Sequence, residues 1–173
     1  MFSVDNSVVV ITGGLGQLGQ RYTQTLMARG ARVAIFDVGV EKTRLPPDLH
    51  SAREGGRLIV LEADVTDRGS LEAALGRVEG EWDTPGGLIN NAALDSPPNA
   101  PIEENGPFET YPEASWDKVM SVNVKGVFQA CQVIGGRMAE AGRGSIVNVS
   151  SIYGLVSPDQ GLYAYRRESG DNF

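Results

Sequence analysis

A glycine-rich segment at residues 12–19 constrains the fold of this chain more than any other feature. It reads Thr-Gly-Gly-Leu-Gly-Gln-Leu-Gly and lies between an apolar, β-branched run at 8–12 and a stretch with helical apolar spacing at 17–29. Three glycines at intervals of three allow a tight turn, close approach of a ligand to the backbone and close helix–strand packing. The N–H groups and dipole at the start of a helix favour a phosphate there. The segment therefore predicts a phosphate-binding strand–turn–helix unit, although an ordinary turn could use the same glycines.

Strand and helix patterns alternate along the rest of the chain. The predicted strands are 8–12, 32–36, 58–61, 87–90 and 145–149, and the predicted helices are 17–29, 70–82 and 115–142, with Ser115 as the N-cap of the last. We expect residues 41–53 to form a loop with one helical turn, because Pro46 and Pro47 interrupt the helical pattern. This alternation predicts an α/β fold with a doubly wound parallel sheet. Ligands bind such sheets at the carboxyl ends of the strands.

Two carboxylates follow predicted strands at that edge of the sheet. Asp37 lies about 20 residues beyond the glycine-rich segment, where a carboxylate would bind the adenosine ribose hydroxyls and repel a 2′-phosphate. This position favours NAD over NADP. Asp64 follows the third strand and is placed to hold the adenine amino group. The simpler alternatives are that Asp37 is a helix N-cap or a solvated carboxylate, and that Asp64 caps the next helix, for which Asp67 is an equal candidate.

Composition narrows the choice of partners. The chain has 15 Lys and Arg against 22 Asp and Glu, a net charge of −7, which opposes binding to nucleic acid or to an anionic membrane. The apolar run at 8–11 is too short for a signal-peptide core or a spanning helix. Cys131 is the sole cysteine, and no Cys/His spacing predicts a metal site. We therefore expect a cytoplasmic protein with a small-molecule partner.

Five motifs resemble those of the short-chain dehydrogenase/reductase family. They are the glycine-rich segment, Asp64-Val65, Asn90-Asn91-Ala92-Ala93, Ser-Val-Asn-Val-Lys-Gly at 121–126 and Ile-Val-Asn-Val-Ser-Ser at 146–151. The resemblance extends from the first strand to about Gly154. Two details depart from the family's pattern. The first glycines are spaced as in the family's extended branch, and Ala93 stands where the family has glycine.

The resemblance implies a Rossmann-type dinucleotide-binding domain at 1–154, and hydride transfer between NAD(H) and an alcohol or carbonyl substrate. Together with the glycine-rich segment and the two carboxylates, it predicts the cofactor-binding residues Gly13, Gly16, Gln17, Leu18, Gly19, Asp37, Asp64, Val65, Asn91 and Ala92. It further implies that Asn90 and Asn91 tie the fourth strand to its neighbours. Asn123 would hold a water in a proton-relay path, and Ser151 would hydrogen-bond the substrate oxygen. Alternatively, Asn123 bonds a backbone carbonyl and Ser151 caps a strand end.

The family's Tyr-x-x-x-Lys motif does not follow Ser151 in this sequence. In that motif the lysine lowers the pKa of the tyrosine from about 10. All three lysines, Lys42, Lys118 and Lys125, precede Ser151. Tyr163 is followed four residues later by Arg167, whose planar group binds differently from an ammonium. We interpret residues 155–173 as an irregular loop or insertion, with the tyrosine–lysine pair and the last strands of the family fold absent.

Two functions remain open from the sequence. The first is an NAD(H)-dependent oxidoreductase of which these 173 residues are an incomplete part, inactive alone. The alternative is a nucleotide-binding module without turnover. Family members often pair through the helix that contains Asn123, so we expect the complete protein to be a homo-oligomer.

Overall fold

A parallel sheet of five strands organises the chain in the computed structural model, which describes residues 3–95, 104, 108–157, 159–163 and 165. The strands are β1 (Val8–Thr12), β2 (Arg32–Asp37), β3 (Leu58–Glu62), β4 (Gly87–Asn90) and β5 (Ser145–Asn148). Their order is β3-β2-β1-β4-β5, and every neighbouring pair is parallel. The predicted doubly wound sheet is therefore confirmed. The strand order reverses between β1 and β4, and this is the position where such sheets bind ligands.

Helices cover both faces of the sheet. On one face, α1 (Gln17–Met27) and α2 (Pro47–Glu54) pack against a cluster that contains Val9 and Ile11. On the other face, α3 (Arg68–Glu81) and a long helix at 113–140 pack against a cluster that contains Val8 and Val10. Alternate residues of β1 therefore enter opposite layers. All five residues of β1 are buried, as its uninterrupted apolar pattern predicts.

Helix α2 corrects the prediction of a loop at 41–53. The helix begins at Pro47, with Pro46 as its N-cap residue. Proline suits the first helical position because its φ is already helical and its missing N–H would have no intrahelical partner. Asp48 in the first turn and Arg53 in the last turn complement the helix dipole. The proline pair thus starts this helix.

The long helix at 113–140 was predicted two residues too late at both ends. Its segments are Glu113–Met120, Ser121–Gly126, Val127–Ala130, Cys131–Gly135 and Gly136–Glu140, of which the second and fourth are π-helical. Pro112 occupies the N-cap position. The predicted cap, Ser115, lies inside the first turn, and its hydroxyl donates a hydrogen bond to the Glu104 carboxylate at 2.6 Å.

Helical spacing predicts one buried apolar stripe along this helix, formed by Trp116, Met120, Val124, Val127, Cys131, Ile134 and Met138. Only the part toward the C-terminal end is buried. Ile134 and Met138 are buried, whereas Trp116 and Val124 are 52% and 53% exposed. Trp116 precedes both π segments and Val124 lies within the first, so a change of helical period does not account for their exposure. The buried part of the helix, at 130–138, packs against the core cluster that contains Val8 and Val10. This part of the sequence prediction was wrong.

Polar contacts join the long helix to α3. The Nε of Arg137 lies 3.0 Å from a carboxylate oxygen of Glu79, and Arg137 also bonds Glu140. The hydrogen bonds that Arg137 donates to these two carboxylates raise its pKa above the ordinary value. Nearby, Arg68 donates to the side-chain oxygen of Gln132 at 3.0 Å. Among the helices formed by the described residues, none combines the length and apolar character that crossing a membrane requires.

Candidate cofactor-binding site

A crevice of about 1070 Å³ lies at the carboxyl ends of the strands. The loops after β1, β2, β3 and β4 form most of its wall, and the N-terminal half of the long helix completes it. Nine of the ten predicted cofactor residues line this crevice: Gly13, Gly16, Gln17, Leu18, Asp37, Asp64, Val65, Asn91 and Ala92. The fold thus brings together side chains that are up to 79 positions apart in the sequence.

The glycines of the glycine-rich segment have separate structural roles. Gly13 has φ +63°, and a Cβ atom there would lie 2.7 Å from the Cα of Ala92. Gly19 is buried in the first turns of α1, where a Cβ would lie 2.5 Å from the Cα of Gly14. Gly19 therefore supports the site by close packing and does not line the crevice. A Cβ on Gly16 would meet only the carbonyl oxygen of Gly13, at 3.4 Å, so Gly16 faces open space.

The start of α1 presents backbone N–H groups to the crevice. Gly16 is the N-cap residue and provides no side-chain cap, and the first turn contains no acidic residue. The first N–H groups of a helix lack intrahelical acceptors. Gln17 and Leu18, which carry two of these groups, both line the crevice. This end of α1 is therefore suited to an anionic group.

Asp37 connects the two loops on one side of the crevice. Its Oδ2 accepts a hydrogen bond from the Leu15 N–H at 2.9 Å, and its Oδ1 accepts one from the Gly39 N–H at 3.3 Å. Since Pro46 is the N-cap residue of α2, Asp37 does not cap that helix. The carboxylate instead lines the crevice beside the glycine-rich segment.

Asp64 and Asp67 divide the two roles that the sequence left open. Asp67 is the N-cap of α3, and its carboxylate accepts from the Gly69 N–H at 2.9 Å. Asp64 lines the crevice, where its Oδ1 accepts from both the N–H and the hydroxyl of Thr66 at 2.8 Å. The capping role therefore belongs to Asp67. Asp64 is left at the crevice wall beside Val65.

Thr12 fastens the end of β4 to the glycine-rich segment, a role that the sequence analysis missed. Its buried hydroxyl accepts from the N–H groups of Asn91 and Ala92, both at 3.1 Å. The side chain of Asn91 donates to the carbonyl oxygens of Thr12, at 3.2 Å, and Gly13, at 2.9 Å. A hydroxyl within an otherwise apolar strand was the available signal, because buried polar groups are almost always hydrogen-bonded.

Asn90 ties β4 to its other neighbours. Its Nδ2 donates to the Oδ1 of Asn148 on β5 at 2.8 Å and to the sulfur of Cys131 at 3.3 Å. Asn90 and Asn91 therefore connect β4 to β5 and β1, as the resemblance implied.

The two predicted catalytic residues bond nearby backbone. Asn123 lies in the first π segment, where its side chain accepts from the Leu94 N–H at 2.8 Å and donates to the Leu94 carbonyl at 2.9 Å. Ser151 accepts from the Tyr153 N–H at 3.2 Å. The alternative for Asn123, a bond to a backbone carbonyl, thus occurs, whereas Ser151 caps the short 3₁₀ helix Ile152–Gly154 and not a strand end. The water-holding and substrate-binding roles stay predictions. Tyr163 ends a short 3₁₀ helix, and Arg167 lies outside the described residues.

The crevice also contains residues that the sequence analysis did not select, notably Lys118 and Thr43. Lys118 brings a positive charge to a wall that also carries Asp37, Asp64 and Asp95. It comes from a helix about 80 residues beyond Asp37, and no local motif indicated it. Within the described residues, no three His, Cys, Asp or Glu side chains are grouped so that they could hold a metal ion.

A parallel sheet in this order, with a glycine-rich turn beside the reversal of strand order, defines a Rossmann-type nucleotide-binding fold. Residues 7–166 match the sequence model of the short chain dehydrogenase family. The chain therefore belongs to the short-chain dehydrogenase family.

Similar proteins include enzymes and solved structures. The chain is 31% identical to 2-(R)-hydroxypropyl-CoM dehydrogenase of Xanthobacter autotrophicus, over 90% of this chain and 61% of that protein. It is 32% identical to cyclopentanol dehydrogenase of Comamonas testosteroni, over 98% of this chain and 64% of that protein. The structure of an NAD⁺-bound xylitol dehydrogenase matches with a TM-score of 0.78 at 25% identity, over 98% of this chain and 62% of that protein. The structure of a short chain dehydrogenase from Leptospira borgpetersenii with bound NAD⁺ matches with a TM-score of 0.75 at 26% identity, over 96% of this chain and 62% of that protein. The chain thus spans less than two thirds of the length of these relatives.

Proposed function

We propose that the crevice binds NAD(H) and that the whole protein is an oxidoreductase acting on an alcohol or carbonyl substrate. The observation that carries this proposal is the shared position of Asp37 and the uncapped start of α1, which line one crevice. A carboxylate suits a ribose, and free helical N–H groups suit a diphosphate. The dehydrogenase names of the relatives and the NAD⁺ bound in two similar structures support the same function.

The residues present fit a dinucleotide. Gly16 leaves open space beside the first N–H groups of α1, so a diphosphate could approach the backbone closely. Asp37 would accept hydrogen bonds from the adenosine ribose, and Asp64 with Val65 would contact the adenine. The crevice volume of about 1070 Å³ lies just above the range of about 300–1,000 Å³ found for ligand pockets, as suits a ligand as large as a dinucleotide.

We further propose that the site prefers NAD over NADP, since the Asp37 carboxylate lines the crevice at its ribose end. A 2′-phosphate placed there would be repelled by this charge. Glu62, the register partner of Asp37 on β3, is not among the lining residues and accepts from the Val40 N–H at 3.2 Å. Titrations that give a lower Kd for NADH than for NADPH would support this preference, and equal values would oppose it.

The chain's own residues would position the reactants. A bound nicotinamide would supply or accept the hydride. The Ser151 hydroxyl would donate a hydrogen bond to the substrate oxygen. A side-chain amide has two N–H donors and an oxygen with two lone pairs. Asn123 uses one donor and one lone pair on Leu94, which leaves capacity for the predicted water.

A nucleotide-binding module without turnover is the second candidate. It requires the crevice residues and no tyrosine–lysine pair. Fluorescence titration with NADH tests binding by the chain, and a dehydrogenase assay with NAD⁺ and secondary alcohols tests turnover. Saturable binding with turnover supports the enzyme, and saturable binding alone supports the module. The absence of saturable binding would contradict both.

Three broader features stay proposals, of which the first rests on composition and the other two on the family resemblance. They are a cytoplasmic location, a division into a domain at 1–154 with an irregular segment at 155–173, and self-association through the long helix. The half-exposed side chains of Trp116, Val124 and Phe128 on that helix support self-association. Sedimentation of the whole protein would test it, with a single monomeric species as the contrary result.

A further inference from the structure

We infer that Asp37 supports diphosphate binding as well as ribose binding, because its carboxylate holds the glycine-rich segment in place. This inference rests on the proposed NAD(H) site. It assigns Asp37 a positioning role that ribose recognition alone does not include. The role concerns the backbone around Leu15, which directly precedes Gly16 and the first N–H groups of α1.

Side chains anchor the peptide groups on both sides of Leu15. Its N–H donates to the Oδ2 of Asp37 at 2.9 Å, and its carbonyl accepts from the side-chain amide of Gln20 at 2.7 Å. The Leu15 side chain is 7% exposed and belongs to the core cluster that contains Ile11. The backbone that leads into Gly16 is thus fixed by one carboxylate, one amide and core packing.

The two roles of Asp37 are compatible. An ionised carboxylate has about four lone-pair positions, and the Leu15 and Gly39 N–H groups use two of them. The others stay available for ribose hydroxyls. Hydrogen bonds to an ionised acceptor are stronger than those between neutral groups. Loss of the carboxylate should therefore release the Leu15 peptide and weaken diphosphate binding, even for a ligand without ribose hydroxyls.

Glu62 provides a matched control. It is a carboxylate at the same end of the sheet and the register partner of Asp37. It bonds the Val40 N–H and not the glycine-rich segment. A general loss of negative charge at this edge would affect both positions, whereas the anchoring role belongs to Asp37 alone.

The test compares ADP with 2′,3′-dideoxy-ADP, which lacks the ribose hydroxyls, by calorimetric titration of the whole chain. Wild type should bind both ligands. Asp37→Ala should weaken dideoxy-ADP binding about tenfold, the effect of losing one charge-assisted hydrogen bond. Asp37→Asn should stay within about twofold of wild type for this ligand, since its amide oxygen can still accept from Leu15. Glu62→Gln should bind dideoxy-ADP as wild type does.

Three results would overturn the inference while leaving NAD(H) binding intact. In the first, Asp37→Ala binds dideoxy-ADP as tightly as wild type does. In the second, Asp37→Ala and Glu62→Gln lose the same affinity for dideoxy-ADP. In the third, the wild-type protein binds ADP but does not bind dideoxy-ADP. Wild type that binds neither NADH nor ADP would overturn the proposed function itself. If Asp37→Ala does not fold, NMR hydrogen exchange of the ligand-free wild-type protein tests the anchoring role. The Leu15 amide should be protected, and exchange as fast as in an unstructured peptide would refute the anchoring role.

Discussion

Replacing Gly13 by alanine should destabilise the folded chain without any ligand being present. At φ +63° an L-residue costs roughly 1–2 kcal/mol relative to glycine. The new Cβ would lie 2.7 Å from the Cα and 3.0 Å from the N of Ala92, whose N–H is held by Thr12. Overpacking of this kind costs about 1–3 kcal/mol. The free energy of unfolding should therefore fall by about 2–5 kcal/mol.

Gly16→Ala is the matched control within the same turn. Gly16 has φ −68°, which alanine adopts readily, and its Cβ would meet only the Gly13 carbonyl oxygen at 3.4 Å. The free energy of unfolding should change by less than about 1 kcal/mol. The methyl group would, however, stand where the diphosphate approaches the backbone. NADH affinity should fall about tenfold or more.

Urea unfolding monitored by circular dichroism separates these two effects. With a urea m-value of about 2 kcal/mol/M, the Gly13 variant should unfold at a midpoint lower by about 1–2.5 M. The Gly16 variant should unfold within about 0.5 M of the wild-type midpoint and should bind NADH about tenfold or more weakly in a fluorescence titration. The reasoning is refuted if Gly13→Ala unfolds at the wild-type midpoint, or if the Gly16 variant is destabilised as much as the Gly13 variant.

Three further substitutions test other contacts. Thr12→Val should lower the free energy of unfolding by about 2–3 kcal/mol, because two backbone N–H groups at the end of β4 lose their acceptor. Thr12→Ser keeps the hydroxyl and should retain most of the wild-type stability, so equal urea midpoints for the two variants would contradict this role. Asn123→Ala should cost about 1–3 kcal/mol and speed hydrogen exchange of the Leu94 amide, and an unchanged exchange rate would oppose the assigned contact. Lys118→Met should weaken NADH binding about threefold at low salt and less at 0.5 M salt, and a loss independent of salt would exclude an electrostatic role.

The sheet and its glycine-rich turn could be predicted from local sequence because each signal lies within one short segment. The run at 8–12 is apolar throughout, and a strand covered on both faces needs that pattern. All five predicted strands exist, with ends that differ from the structure by at most one residue. The glycine spacing likewise placed Gly13, Gly16, Gln17 and Leu18 at the crevice, since turn geometry and ligand approach both depend on those positions.

The sequence-based predictions failed where the structure depends on contacts between distant residues, or where one sequence pattern fits two different structures. Pro46 and Pro47 can end a helix or begin one, and here Pro47 begins α2. Helical spacing shows which residues share a face of the long helix but not which part of that face has a partner, so Trp116 and Val124 were wrongly assigned to a buried stripe. Thr12 became part of the site through bonds to residues 79 and 80 positions away.

A crystal structure of the chain with NADH tests the central claim most directly. The diphosphate should lie beside the N–H groups of Gln17 and Leu18, and the adenosine ribose should hydrogen-bond the carboxylate of Asp37. An empty crevice in crystals with saturating NADH would contradict the account, as would a cofactor bound elsewhere on the protein.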